Sequence, residues 1–262
     1  MGSYYRYQPS GFNFGMGMTP GVKALLILNV GFFALTGFLR IPIERWFFLG
    51  LTPEFVVRGM VWQVFTYMFL HGGLSHILFN MLALWMFGVV VEQTWGMRRF
   101  LRYYVICGVG AGITVVLAAY SFGGPADRMG ITIGASGAIY GLLLAFGWMF
   151  SEAPVLMFFL FPIPAKYFVM IMGAVSFFMV GTESGGSVSH IAHLGGLIVG
   201  YLYLQSGRTP SYSYSRRRSR LGKMFSREEW RMAYDRWRKR RLRKKFEVYM
   251  RKQDGGGDRW VQ

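Results

Sequence analysis

Charge is scarce in this 262-residue chain. Only 16% of residues are charged and 53% are hydrophobic, where a soluble domain carries about 25% charge. The apolar residues come in long blocks, which excludes an ordinary soluble domain and points to an integral membrane protein with one membrane domain. Cysteine is almost absent: Cys107 stands alone, so no intramolecular disulfide exists. Its neighbours Val105 and Ile106 suit a small apolar residue inside a span. Acidic residues are few, 12 against 29 Lys+Arg, for a net charge of +17. That excess is local. Residues 206–262 hold 19 of the 29 basic and 6 of the 12 acidic side chains.

What is present divides into apolar runs. Residues 1–21, rich in Gly, Tyr, Phe and Met, are expected to form a flexible cytosolic leader. Lys23 opens a first span to Leu39. Residues 40–70 form a long connection with amphipathic pieces, in which Trp46, Trp62 and three Arg suit the membrane interface. A second span is expected from about His76 to Val91, followed by a short basic loop from Glu92 to Arg102 and a third span to Phe122. Gly123 to Arg128 reads as a polar turn. A fourth span starts at Ser136. The apolar stretch Val155–Phe161, closed by Pro162 and Pro164, is too short to cross and reads as an interfacial or re-entrant loop. Tyr167–Val180 and Val188–Leu204 complete six spans, with a polar Gly/Ser turn from Glu183 to Ser187 between them. An even number puts both termini on one side, and Arg98–Arg102, Lys166 and the basic tail make that side the cytoplasm. The expected fold class is all-α: a polytopic six-transmembrane-helix bundle over residues 22–205, with a basic, partly helical cytosolic tail over 206–262.

The fourth span is the unusual one. Gly134 to Gly141 read GASGAIYG, and the apolar run from Ser136 ends near Phe150. A helix of that length is roughly 22 Å long, against a membrane core about 30 Å thick. Its N-terminus is therefore expected below the membrane surface, where irregular backbone is tolerated only beside a watery cavity or within protein. A hydroxyl there is well placed to be a nucleophile.

Polar residues within spans default to a functional role. His71 and His76 lie at the start of the second span in HGGLSHILFN, and His190 and His193 at the start of the sixth in SHIAHLGGLIVG. His76 and Asn80, four apart, share a helix face. Gly137 and Gly141 in the fourth span, and Ala192, Gly196 and Gly200 in the sixth, repeat small residues every four positions, which lets membrane helices approach closely. If those faces meet, Ser136 and His193 come together as a Ser–His pair, the minimum for an activated hydroxyl. His190 is three residues away, so periodicity alone does not separate it from His193. The small neighbours of His193 do. The Ser136 backbone N–H, His76 and Asn80 are the candidate oxyanion donors. Each feature has a bland reading: small-residue packing for the Gly-Ala-Ser-Gly string, an interfacial group for a His at a span end, interhelical glue for Asn80. Their shared membrane depth favours chemistry. Four histidines raise the possibility of zinc, but there is no H-E-x-x-H, and neither a metal nor a cofactor is expected.

These residues resemble the rhomboid intramembrane serine proteases. Gly134-Ala135-Ser136-Gly137 matches a G-x-S-G motif. His76-Ile77-Leu78-Phe79-Asn80 matches H-x-x-x-N, and Ala192-His193-Leu194-Gly195-Gly196 with Gly200 is similar to A-H-x-x-G-x-x-x-G. The resemblance covers roughly residues 22–205. It implies a Ser136–His193 dyad with no acidic third member and an oxyanion site at His76 and Asn80. It also implies single-span transmembrane proteins as substrates, a multi-pass location in a bacterial-type inner membrane, and no cofactor. An inactive relative that binds membrane proteins is the alternative, though such relatives typically lack the Ser or the His. One departure is Trp62-Gln63, where the family often has Trp-Arg; this puts the anchoring of the first loop in question, not the chemistry.

The tail lies outside the resemblance. Ser226-Arg227-Glu228-Glu229 is a capping box opening a helix to about Lys252, closed by Gly255–Gly257. Its clustered basic residues suit either solvent or anionic lipid, and no folded nucleic-acid-binding motif accompanies them.

Overall fold

The computed structural model describes residues 17–38, 48–157, 161–180 and 187–206, with isolated positions between Met232 and Arg243. Residues 1–16, the start of the first connection, positions 183–186 of the expected polar turn and the tail's capping box at Ser226 lie outside the described residues. The seven tail positions that are described are helical and exposed.

Helix formation follows the apolar runs. α1 covers Pro20–Phe38, opening on a proline that suits a first helical position. Two short helices, α2 (Pro53–Val57) and α3 (Gln63–Thr66), and a 3₁₀ turn (Tyr67–Phe69) make up the described part of the connection. α4 covers Leu74–Trp95, α5 Met97–Ser121, α6 Pro125–Met129 and α7 Ser136–Met149. After a hairpin of β1 (Pro154–Met157) and β2 (Phe161–Pro164) come α8 (Ala165–Met179) and α9 (Ser187–Gln205). Among the described residues three helices, within Pro20–Gly37, Leu74–Trp95 and Met97–Ser121, are long and apolar enough to cross a membrane; α7 and α8 are shorter apolar helices. α7 has 14 residues, or about 21 Å. It is the centre of the bundle: ten of its side chains or glycines are buried, and an all-round apolar helix belongs inside.

Two expectations need correction. The basic loop from Glu92 to Arg102 is not a loop. α4 runs on to Trp95, Gly96 turns the chain at φ 79°, and α5 begins at Met97. A left-handed glycine permits so tight a helix–helix junction, and the three arginines fall in the first two turns of α5. The stretch after α7, expected as an interfacial or re-entrant loop, forms a two-stranded antiparallel hairpin, so the described residues are mostly helical rather than all-α. Pro154 pairs with Pro164 and Leu156 with Pro162. The two prolines of β2 sit at alternate positions, where a two-stranded ribbon leaves N–H groups pointing away from the partner and a missing donor costs nothing.

Glu92 explains how α1 is held. It is 3% exposed, and its carboxylate accepts the N–H groups of Gly21 and Val22, each at 2.8 Å, and the Thr19 hydroxyl at 2.5 Å. An anion on the free N–H groups of a helix start satisfies both the hydrogen bonds and the dipole. Glu92→Ala leaves buried donors without an acceptor, which costs about 1–3 kcal/mol per group. Thermal unfolding in detergent should therefore show a clear drop in midpoint for that variant; an unchanged midpoint would refute the capping role.

The connection is anchored too, and by the residue that departs from the family pattern. Gln63 is fully buried. Its Oε1 accepts the Thr52 N–H at 3.0 Å, while Trp62 Nε1 donates to the Phe48 carbonyl at 2.8 Å. A neutral amide thus does what a loop anchor must. Leu51 and Thr132 then exchange both backbone hydrogen bonds, at 3.0 and 2.8 Å. This ties the connection to the segment that leads into Ser136.

Candidate active site

The entry to α7 is built by main-chain ties. Thr132 is held by Leu51, and the Gly134 N–H donates to the Tyr67 carbonyl at 2.9 Å. Tyr67 is itself fixed, its hydroxyl donating to the Gly108 carbonyl of α5 at 2.7 Å. Gly134 has φ 117°, a region that strains any residue with a side chain. Space is short as well: a Cβ there would meet His76 Nε2 at 2.7 Å and Asn80 Nδ2 at 3.7 Å. No side chain caps the start of α7, so its first N–H groups remain available to a ligand, at the positive end of the helix dipole.

Close approach of α7 and α9 is set by glycine, as the small-residue pattern requires. A Cβ on Gly196 would collide with the Gly137 carbonyl, so the two backbones are in direct contact. One turn on, a Cβ on Gly200 would lie 3.3 Å from Gly141 Cα and 2.6 Å from the Tyr103 hydroxyl, which donates to the Gly141 carbonyl at 2.7 Å. Cys107 packs against Gly141 as a small buried side chain.

This seam brings Ser136 and His193 together. His193 Nε2 lies 2.8 Å from Ser136 Oγ. His190 does not share that position; its ring stands edge-on to His193, centroids 5.7 Å apart. His76 and Asn80 of α4 face the same entry through Gly134. His76 Nδ1 accepts the Gly72 N–H at 3.4 Å, which leaves the proton of a neutral ring on Nε2, the nitrogen beside Gly134. Asn80 is buried, and its amide nitrogen has no partner. Two donors thus converge on one small space next to Ser136.

Three further residues belong to this surrounding; of these His71 was among the histidines noted in the sequence, and Tyr140 and Ser176 were not singled out. Tyr140 lies flat on His193, ring centroids 4.1 Å apart and planes 5° from parallel. Ser176 of α8 places its hydroxyl 3.4 Å from His193 Nδ1. His71 is buried and packs edge-on against His76 at 5.1 Å. Tyr140 was findable, one helical turn after Ser136 and on its face. Ser176 carries the signal of a lone hydroxyl in an apolar helix. Among the described residues no three His, Cys, Asp or Glu side chains gather as a metal site.

The family model described as the Rhomboid domain matches residues 58–207. The chain belongs to the rhomboid family. It is 31% identical over 191 residues to "Rhomboid protein 1, mitochondrial" of Saccharomyces cerevisiae, covering 70% of this chain and 51% of that one. It is 35% identical to "Rhomboid protease GluP" of Bacillus subtilis, over 56% of this chain and 26% of that protein. It is 31% identical to "Rhomboid protease GlpG" of Haemophilus influenzae, over 55% of this chain and 68% of that one. Several of these relatives are much longer; the chain spans about half of the yeast protein and about a quarter of Bacillus GluP. Family and apolar helices together make this rhomboid an integral membrane protein.

Proposed function

We propose that this rhomboid is an intramembrane serine endopeptidase acting through Ser136 and His193. The observation that carries the reading is the 2.8 Å approach of His193 Nε2 to Ser136 Oγ at the start of a helix too short to span. In the reaction His193 Nε2 takes the Ser136 proton as the Oγ–carbon bond forms. The carbonyl electron pair moves onto oxygen, which accepts hydrogen bonds from His76, Asn80 and the Ser136 N–H. Collapse of that intermediate breaks the C–N bond, and His193 returns the proton to the leaving amine. Water then enters by the same steps in reverse order and frees the acid.

In this reading α1, α4, α5, α7, α8 and α9 are the six membrane helices, α7 starting below the membrane surface, with the protease domain over 22–205 and both termini on the cytoplasmic side of a bacterial-type inner membrane. Substrates are single-span transmembrane proteins, cleaved within or near the bilayer where small residues let a helix unwind. No cofactor takes part. The basic tail rests against anionic lipid or solvent and adds no catalytic group.

A fluorophosphonate probe tests the nucleophile directly. The purified protein in detergent should be labelled, and peptide mass mapping should place the adduct on Ser136. A folded protein that takes up no label, or takes it elsewhere, would favour an inactive membrane-protein-binding rhomboid.

A further inference from the structure

His193 has two ring nitrogens, and the dyad uses only one. The other, Nδ1, faces α8, where Ser176 Oγ lies 3.4 Å away. Ser176 is 1% exposed and sits within the otherwise apolar stretch MGAVSFFM. Its hydroxyl donates to the Tyr140 hydroxyl at 3.2 Å, and the Tyr140 ring lies flat on His193. Ser176 from α8 and Tyr140 from α7 thus close a ring of contacts with the imidazole from α9.

A neutral imidazole carries one proton. Nε2 can take a proton from Ser136 only if that proton is on Nδ1. Serine offers one donor and two lone pairs. With its proton directed at Tyr140, Ser176 presents a lone pair to His193, and Nδ1–H is the tautomer that fits. Tyr140 and Ser176 divide the task of orientation. A stacked ring stops the imidazole from tilting but leaves it free to turn within its own plane; an acceptor at Nδ1 stops that turn. When His193 becomes an imidazolium, the Nδ1–H bond becomes charge-assisted and shorter.

We propose that Ser176 is a positioning residue for this rhomboid: it accepts Nδ1–H of His193 and holds Nε2 bare and aimed at Ser136. The proposal rests on the dyad reading and adds to it a partner on α8. The reverse relay, Tyr140 to Ser176 to Nδ1, would put the proton on Nε2 and make Ser176 a brake.

The test compares wild type with Ser176→Ala, Ser176→Thr and Ser176→Val on a single-span substrate in detergent. Losing a partner that orients a metal-bound imidazole costs about 10-fold to 100-fold; a loss of that order is expected here, falling on kcat with KM little changed. Thr and Val fill nearly the same space, so Thr should recover activity that Val does not, whatever packing strain both introduce. In protein labelled with ¹⁵N-histidine, the His193 signal should report Nδ1–H in wild type and a mixed tautomer in Ser176→Val. Equal activity of the Thr and Val variants, or a gain in the Ala variant, overturns the proposal. If wild type does not react with a fluorophosphonate at Ser136, the protease reading fails separately, and the ¹⁵N signal still decides whether Ser176 sets the tautomer.

Discussion

Replacing Ser136 by Ala, His193 by Ala, or both should give three variants of equal, near-zero activity. The dyad is a unit: the hydroxyl is a poor nucleophile without the base, and the base has no proton to take without the hydroxyl. In serine proteases whose parts act together, single losses cost roughly 10⁶ in kcat and further losses add little. The 2.8 Å contact predicts that behaviour here. Cleavage of a reconstituted single-span substrate should fall to background in each variant, while unfolding midpoints stay close to wild type. His190→Ala is the control. Its ring is 5.7 Å from that of His193 and does not take the place of His193 at Ser136, so the variant should lose activity only in part. Background activity for His190→Ala alongside substantial activity for His193→Ala would show that His190 is the base.

The second large effect is expected at the oxyanion site. Removing one donor to a developing oxyanion typically costs about 10²–10³ in rate. Asn80 presents an amide nitrogen that is buried and unpartnered, and His76 presents Nε2 across Gly134. Either can cover in part for the other, so His76→Ala and Asn80→Ala should each be impaired and the double variant far more so. The cycle of four proteins, read as kcat on the same substrate, measures that redundancy. Near-normal turnover of the double variant would remove both side chains from the mechanism.

Much of this site was legible because chemistry and packing share one sequence pattern. Gly137, Gly141, Gly196 and Gly200 are spaced to bring α7 against α9, and Ser136 and His193 ride on those same faces. His76 and Asn80 are four apart and at the matching depth. Harder to read was whatever depends on partners far along the chain. Glu92 reads as a loop residue because a carboxylate near three arginines suggests a membrane surface, and only the N–H groups of Gly21 and Val22 explain its burial. The hairpin around Pro162 and Pro164 is hidden because prolines argue against strands unless their alternate phasing is noticed. Gln63 reads as a lost anchor when judged by charge, yet its amide accepts the Thr52 N–H. Ser176 was overlooked because one hydroxyl among apolar neighbours has no periodicity, and its importance appears only when α8 is laid beside His193.

Main chain meets main chain where Gly196 faces the Gly137 carbonyl, so the two helices there are already as near as helices can be. Mutational drift at this seam is one-directional. Any added atom pushes the helices apart, and no substitution elsewhere can draw them closer again. Ser136 and His193 therefore sit against a mechanical stop: surrounding lipid can press the two helices no closer. α4 meets the site through side chains instead, with His76 and Asn80 reaching across Gly134. Compression by the bilayer should therefore shift His76 and Asn80 before it alters the spacing of Ser136 and His193.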